Sequence, residues 1–142
     1  MKTDIEDIKK ILKTIYEFKE PILNIKQLAE LLEVDWRKTE GLKWLYHNLM
    51  ILKDQELIVG VNLKYDQAEN LGFMFTVSGV IMPSLGVFLR LTDDGHKVIE
   101  AMSQSKIWES IKTQIKDVTK EGLKLIPSLA IDYLKTQVIG QV

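Results

Sequence analysis

The chain has 142 residues, 46% of them hydrophobic and 27% charged, which is ordinary composition for one globular domain with a core of its own. It has no cysteine, which excludes a disulfide framework, a thiolate metal site and a cysteine nucleophile. A net charge of -1, from 19 Lys and Arg against 20 Asp and Glu, excludes a polycation that coats nucleic acid by bulk charge.

The opening Met-Lys-Thr-Asp-Ile-Glu has no apolar h-region, so no secretory signal is expected. No run of about 18 uncharged apolar residues occurs, so no membrane-spanning helix is expected and the cytoplasm is the expected location. Thr3 and Glu6 have the spacing of a capping box. Ile5, Ile8, Ile11, Leu12, Ile15 and Tyr16 follow at helical spacing, which predicts a first helix from about Asp4 to Phe18. Pro21 closes that region. Asn24 and Gln27 repeat the capping logic, and Ile25, Leu28, Leu31 and Leu32 predict a short second helix. Asp35 is placed to cap a third helix from Trp36 to about Lys53, with Leu42, Leu45, Leu49 and Leu52 on its buried face. Trp36, Lys43 and His47 then share the opposite face. Gly41, unfavourable inside a helix, points to close packing against a neighbour.

After Glu56 the hydrophobic period changes from helical to alternating. Leu57 to Tyr65 is rich in β-formers, and 66–70 reads as a polar loop. Phe73, Phe75 and Val77 alternate with Met74, Thr76 and Ser78, and Val87, Leu89 and Leu91 with Phe88 and Arg90. Ser78-Gly79 suits a turn or bulge, and Pro83-Ser84 a second break. Two or three antiparallel strands are expected. Thr92 is placed to cap a fourth helix from Asp93 to Met102, with two acids in its first turn. Ser105 is placed to cap a fifth, with Ile107, Trp108, Ile111, Ile115 and Val118 on one side. A last helix is predicted from about Glu121 to Ile139, where Pro127 starts a new helix or kinks this one. Its polar stripe is narrow (Lys124, Ser128, Asp132, Lys135), and Leu129 and Tyr133 belong to a broad apolar face.

Three helices, a strand pair and further helices are the element order of a winged helix: α+β, with a winged-helix domain over 1–103 and a helical extension over 104–142. Two segments sharpen this. Tyr46-His47-Asn48-Leu49 running into Leu57-Ile58, and Leu91-Thr92-Asp93-Asp94-Gly95-His96 followed by Trp108, resemble a family of short bacterial and prophage proteins catalogued as a domain of unknown function. That family carries a Tyr-His-Leu segment before a Gly-Leu-Ile turn, and a Leu-Thr-x-x-Gly-His box. The N-terminal Lys2, Asp4, Ile8, Ile11 and Leu12 fit it as well, so the resemblance covers most of 1–118. It implies a fold and a genomic setting, and it implies no activity. The chain departs from the family at Gln55-Glu56, where relatives tend to have Ala-Gly.

The third helix is the first candidate for function. Residues 36–53 carry Arg37, Lys38, Lys43 and Lys53 against Glu40 alone, a local charge of +3. Such a helix meets phosphates and base edges, so the expected function is a small non-enzymatic regulator that binds duplex DNA. Arg37, Lys38 and Lys43 make the contacts, and Trp36 and His47 border them. The region between Gly60 and Arg90 argues the other way. Lys64 and Arg90 balance Asp66 and Glu69, whereas phosphate-gripping wings carry net positive charge. The alternative is therefore a protein-interaction or adaptor module that uses the wing and the C-terminal helices. Ile107, Trp108, Ile111, Leu129 and Tyr133 are its candidate partner or dimer interface. Where charge clusters on the surface discriminates the two. Two histidines 49 residues apart make no metal motif, and no glycine-rich phosphate loop exists. No cofactor, metal, small-molecule substrate or membrane partner is expected.

Overall fold

Asp4 starts the first helix. Its Oδ1 accepts the Glu6 amide at 2.8 Å, and α1 (Ile5–Glu17) follows with Ile5, Ile8, Ile11, Leu12 and Ile15 buried. The cap is thus one residue later than the Thr3 expected. Thr3 Oγ1 lies instead 2.8 Å from His47 Nε2. The computed structural model describes residues 3–62 and 71–115, together with 128, 129, 132 and 135.

A two-residue strand, β1 (Leu23–Asn24), precedes α2 (Ile25–Leu31). The capping box at Asn24 forms in both directions. The Gln27 amide donates to Asn24 Oδ1 at 2.8 Å, and the Asn24 amide donates to Gln27 Oε1 at 2.9 Å. The third helix begins later than expected. The Asp35 carboxylate accepts the Arg37 amide at 3.0 Å and its carbonyl accepts the Lys38 amide at 3.1 Å, so Asp35 holds a turn and caps no helix. Then α3 (Thr39–Asp54) buries Leu42, Leu45, Leu49 and Leu52. Gly41 sits against that turn. A Cβ there would lie 2.8 Å from the Asp35 carbonyl oxygen and 2.9 Å from Val34 Cγ1, which is the close packing that its position in a helix suggested.

Two sheets follow. In the first, β2 (Ile58–Asn62) and β5 (Val87–Leu91) run antiparallel from Ile58↔Leu91 to Asn62↔Val87, and β1 flanks β5 on its other edge. In the second, β3 (Phe73–Phe75) and β4 (Ile81–Pro83) form a separate hairpin. Val77, expected to continue the strand, lies in the hairpin's tip. Next come α4 (Asp93–Met102), capped by Thr92 as expected, and α5 (Ser105–Gln114), which Gln104 precedes without a side-chain cap where Ser105 was expected to supply one. The architecture is α+β.

One core serves all of these elements. Ile107, Trp108 and Ile111 of α5 join the same buried cluster as α1, α3 and the sheet, so the division at residue 103 does not separate two cores among the described residues. Leu129 packs half-buried against this cluster too, and Ser128, Leu129, Asp132 and Lys135 are helical as predicted. Tyr133, Pro127, Val118 and the predicted loop over 66–70 lie outside the described residues.

The Leu91–His96 box is the joint between two halves of this core. Thr92 Oγ1 donates to the Glu56 carbonyl at 2.6 Å and accepts the Gly95 amide at 3.0 Å, while the Thr92 amide donates to the Leu57 carbonyl at 2.9 Å. One threonine therefore caps α4 and clamps the end of α3. Gly95 is required because a Cβ there would collide with the Leu57 carbonyl oxygen and sit 3.1 Å from its carbon. The His96 ring takes no part in the joint. It makes an edge-on contact with Tyr16, ring centres 5.7 Å apart.

Candidate functional site

The shared outer face predicted for Trp36, Lys43 and His47 does not form. Trp36, Arg37 and Lys38 stand in the turn before α3, with only Lys38 touching the helix as its N-cap. The His47 ring turns to Thr3 at the start of α1 and is half-buried. Lys43 is on α3 and exposed, but its Nζ pairs with Glu40 at 3.5 Å. The physical reason is the Asp35 turn: losing three residues from the helix start takes Trp36 off the helical face.

The turn builds a different arrangement. The Trp36 indole N–H donates to Glu30 Oε1 of α2 at 3.2 Å, which fixes the ring. Lys26 Nζ and Arg37 Cζ each lie 5.0 Å from the ring centre. Lys38 is exposed beside them. Two cations on one tryptophan, one of them (Lys26) from α2 and unremarked in the sequence, make this the most cationic feature of the α2–α3 corner.

Of the C-terminal candidates, Ile107, Trp108 and Ile111 are inside the protein. Ile107 and Ile111 are 1% exposed and Trp108 8%. The Trp108 ring is covered by Lys9 of α1, whose Nζ is 4.3 Å from the ring centre. These side chains are spent on the chain's own core and offer no partner surface.

Among the described residues, most of the exposed large apolar side chains lie on or beside the β3–β4 hairpin. Phe73 and Ile81 are buried, and Tyr46 of α3 meets both Phe73 and Phe75 edge-on at 5.1 Å, which fixes the hairpin to the third helix. The tip is a tight turn. The Gly79 amide donates to the Thr76 carbonyl at 3.0 Å, the Thr76 amide to the Val80 carbonyl at 2.9 Å, and Gly79 holds φ +85°. Beyond this anchor the apolar side chains face water. Met74 and Met82, cross-strand partners, are 46% and 47% exposed and Phe75 55%. Val77, Val80 and Leu85 are exposed with them. No charged residue occurs from 71 to 89. The sequence carried this signal as an uncharged stretch with apolar residues at both alternating positions. A strand with one wet face would have placed polar residues on that face.

Among the described residues, no three His, Asp or Glu side chains gather to hold a metal ion. None of their helices is long and apolar enough to cross a membrane. No protein-family model, no curated protein and no solved structure matches the chain, so the geometry of these surfaces carries the functional reading.

Proposed function

We propose that the chain is a small non-enzymatic interaction module, a winged helix whose wing docks on a protein partner. The winged-helix reading is supported by the element order α1, β1, α2, α3, β2, hairpin, β5, and by the three-stranded sheet β1-β5-β2 beside the helices. The observation that carries the docking reading is the charge-free hairpin with Met74, Phe75, Val77, Val80, Met82 and Leu85 exposed. A wing that grips phosphate needs cations at its tip, and this one has none. Apolar side chains gain roughly 25 cal/mol per Å² when another apolar surface excludes water from them, and phosphate offers no such surface. Flexible methionines also adapt to the shape of a protein partner.

The test is a pair of variants in affinity purification from cells. Met74→Ser with Met82→Ser removes the cross-strand exposed pair while leaving Phe73, Phe75 and Ile81 against Tyr46 and the core. It is expected to keep the thermal midpoint near that of the wild type and to lose the co-purifying partner. Arg37→Glu with Lys43→Glu is expected to keep the partner. The reverse pattern overturns the reading.

The Lys26–Trp36–Arg37 stack favours a second reading, duplex DNA binding at the α2–α3 corner. Titration of labelled duplex at two salt concentrations separates the two. Tight binding that falls steeply with salt and disappears in the Arg37→Glu, Lys43→Glu variant supports DNA. Absence of binding at low salt removes it.

A further inference from the structure

An open cleft of about 480 Å³ lies between the end of α1, β5 and the first turn of α4. It has no counterpart in the sequence reading, because its lining comes from three segments far apart in the chain. Lys19 follows α1, Arg90 comes from β5, and His96 stands in the first turn of α4. Tyr16 and Phe18 supply aromatic wall, and Glu20 is the single acid of the lining.

The charge of this lining is positive. Lys19 and Arg90 outnumber Glu20 by one with the imidazole neutral. Neither cation forms an ion pair with a described residue. Arg90 is held in place by its own backbone, with one Nη1 hydrogen bond to the Leu91 carbonyl at 3.2 Å, and among the described residues no carboxylate meets its remaining N–H donors. Lys13, Lys43, Lys97 and Lys112, by contrast, each face an acid one helical turn away. The Tyr16 hydroxyl donates to Glu100 Oε1 at 3.4 Å, which holds the ring edge-on to His96.

We infer that this cleft binds a small organic anion, an apolar or aromatic body carrying one carboxylate or phosphate. The oxyanion takes the Arg90 fork and Lys19, and the body lies against Tyr16 and Phe18. Arginine N–H groups match either oxyanion in pairs. A cleft of this size lies within the range that encloses a small ligand. The inference stands independently of the docking hairpin, which shares no residue with the cleft.

The experiment is a titration of the ¹⁵N-labelled full chain with phenyl phosphate, with benzoate and with inorganic phosphate, read from amide shifts. The expected result is saturable movement by about 10 mM of phenyl phosphate or benzoate at residues 18–20, 90 and 96. The tighter of the two identifies the oxyanion, and either supports the site. Inorganic phosphate is expected to bind at least tenfold more weakly than the better probe. Arg90→Gln and Lys19→Gln are each expected to weaken that probe at least tenfold with an unchanged thermal midpoint. Should Arg90→Gln fail to fold, Lys19→Gln alone gives the result. No saturation, shifts spread over unrelated lysines, or inorganic phosphate binding as well as the aromatic probes would each overturn the inference.

Discussion

Thr92 joins three parts of the chain through one hydroxyl and one amide, so its loss should be felt well beyond α4. Thr92→Ala removes a helix cap, worth about 1 kcal/mol, and strips the Glu56 carbonyl of its donor, worth about 1 kcal/mol more. A loss of about 2 kcal/mol in chemical denaturation is expected, with Thr92→Ser retaining most of the stability. At the other end of the same joint, Glu56 occupies left-handed backbone at φ +59°, where the Leu57 amide reaches back to the Leu52 carbonyl at 3.0 Å. The tight turn after α3 therefore forms with a strained glutamate in left-handed backbone. Glu56→Gly is expected to stabilise the fold by about 0.5–1 kcal/mol, since relief of strain exceeds the added freedom of the unfolded chain. Asp7 gives a prediction in pH. Burial and then the Asp4 carboxylate raise its pKa above the ordinary 3.8, with Glu6 adding to this and Lys10 and a Trp44 hydrogen bond opposing it. A carboxyl that protonates more readily when folded contributes stability below pH 3.8 and loses it as pH rises through the raised value. Asp7→Asn should raise the thermal midpoint at pH 7, and the difference should shrink at pH 3. A variant less stable than wild type at pH 7 contradicts this.

Among the elements, the β3–β4 hairpin is the one whose placement depends on few contacts. Its anchor is Tyr46, and each aromatic pair adds about 0.5–1.5 kcal/mol beyond the area buried. Tyr46→Ala should leave α1 and α3 folded while amide exchange across β3 and β4 accelerates by about tenfold or more. Unchanged exchange there would show that Phe73 and Ile81 suffice. The same scale explains what could be read from the sequence. Helix stripes such as Ile8-Ile11-Leu12-Ile15 and Leu42-Leu45-Leu49-Leu52 span several turns and are unambiguous, and β5 and α4 match their predicted bounds. β1 is two residues long and has no period to detect. Asp35 was equally suited to a helix cap and to a turn, and only the packing of Gly41 on that turn decides between them. That local choice moved Trp36 off the face on which the DNA reading relied. The cleft lining had no local pattern at all, because Lys19, Arg90 and His96 meet only in the folded chain.

At the scale of the whole molecule, apolar residues that looked alike in the sequence have opposite fates. The Ile107, Trp108 and Ile111 stripe folds back into the core, and the uncharged stretch from 71 to 89 leaves its Met, Phe and Val side chains in water. Among the described residues the hairpin is therefore the face proposed for a partner, and Ile107, Trp108 and Ile111 serve the core. The most direct measurement places a photo-activatable cross-linker at Val77, in the hairpin's tip, and at Lys13 on α1 as a control, and irradiates living cells. A discrete cross-linked protein from position 77, absent from position 13 and lost when Met74 and Met82 become serine, is the predicted result. No product from position 77, or the same products from both positions, would contradict the claim that this hairpin is a docking surface.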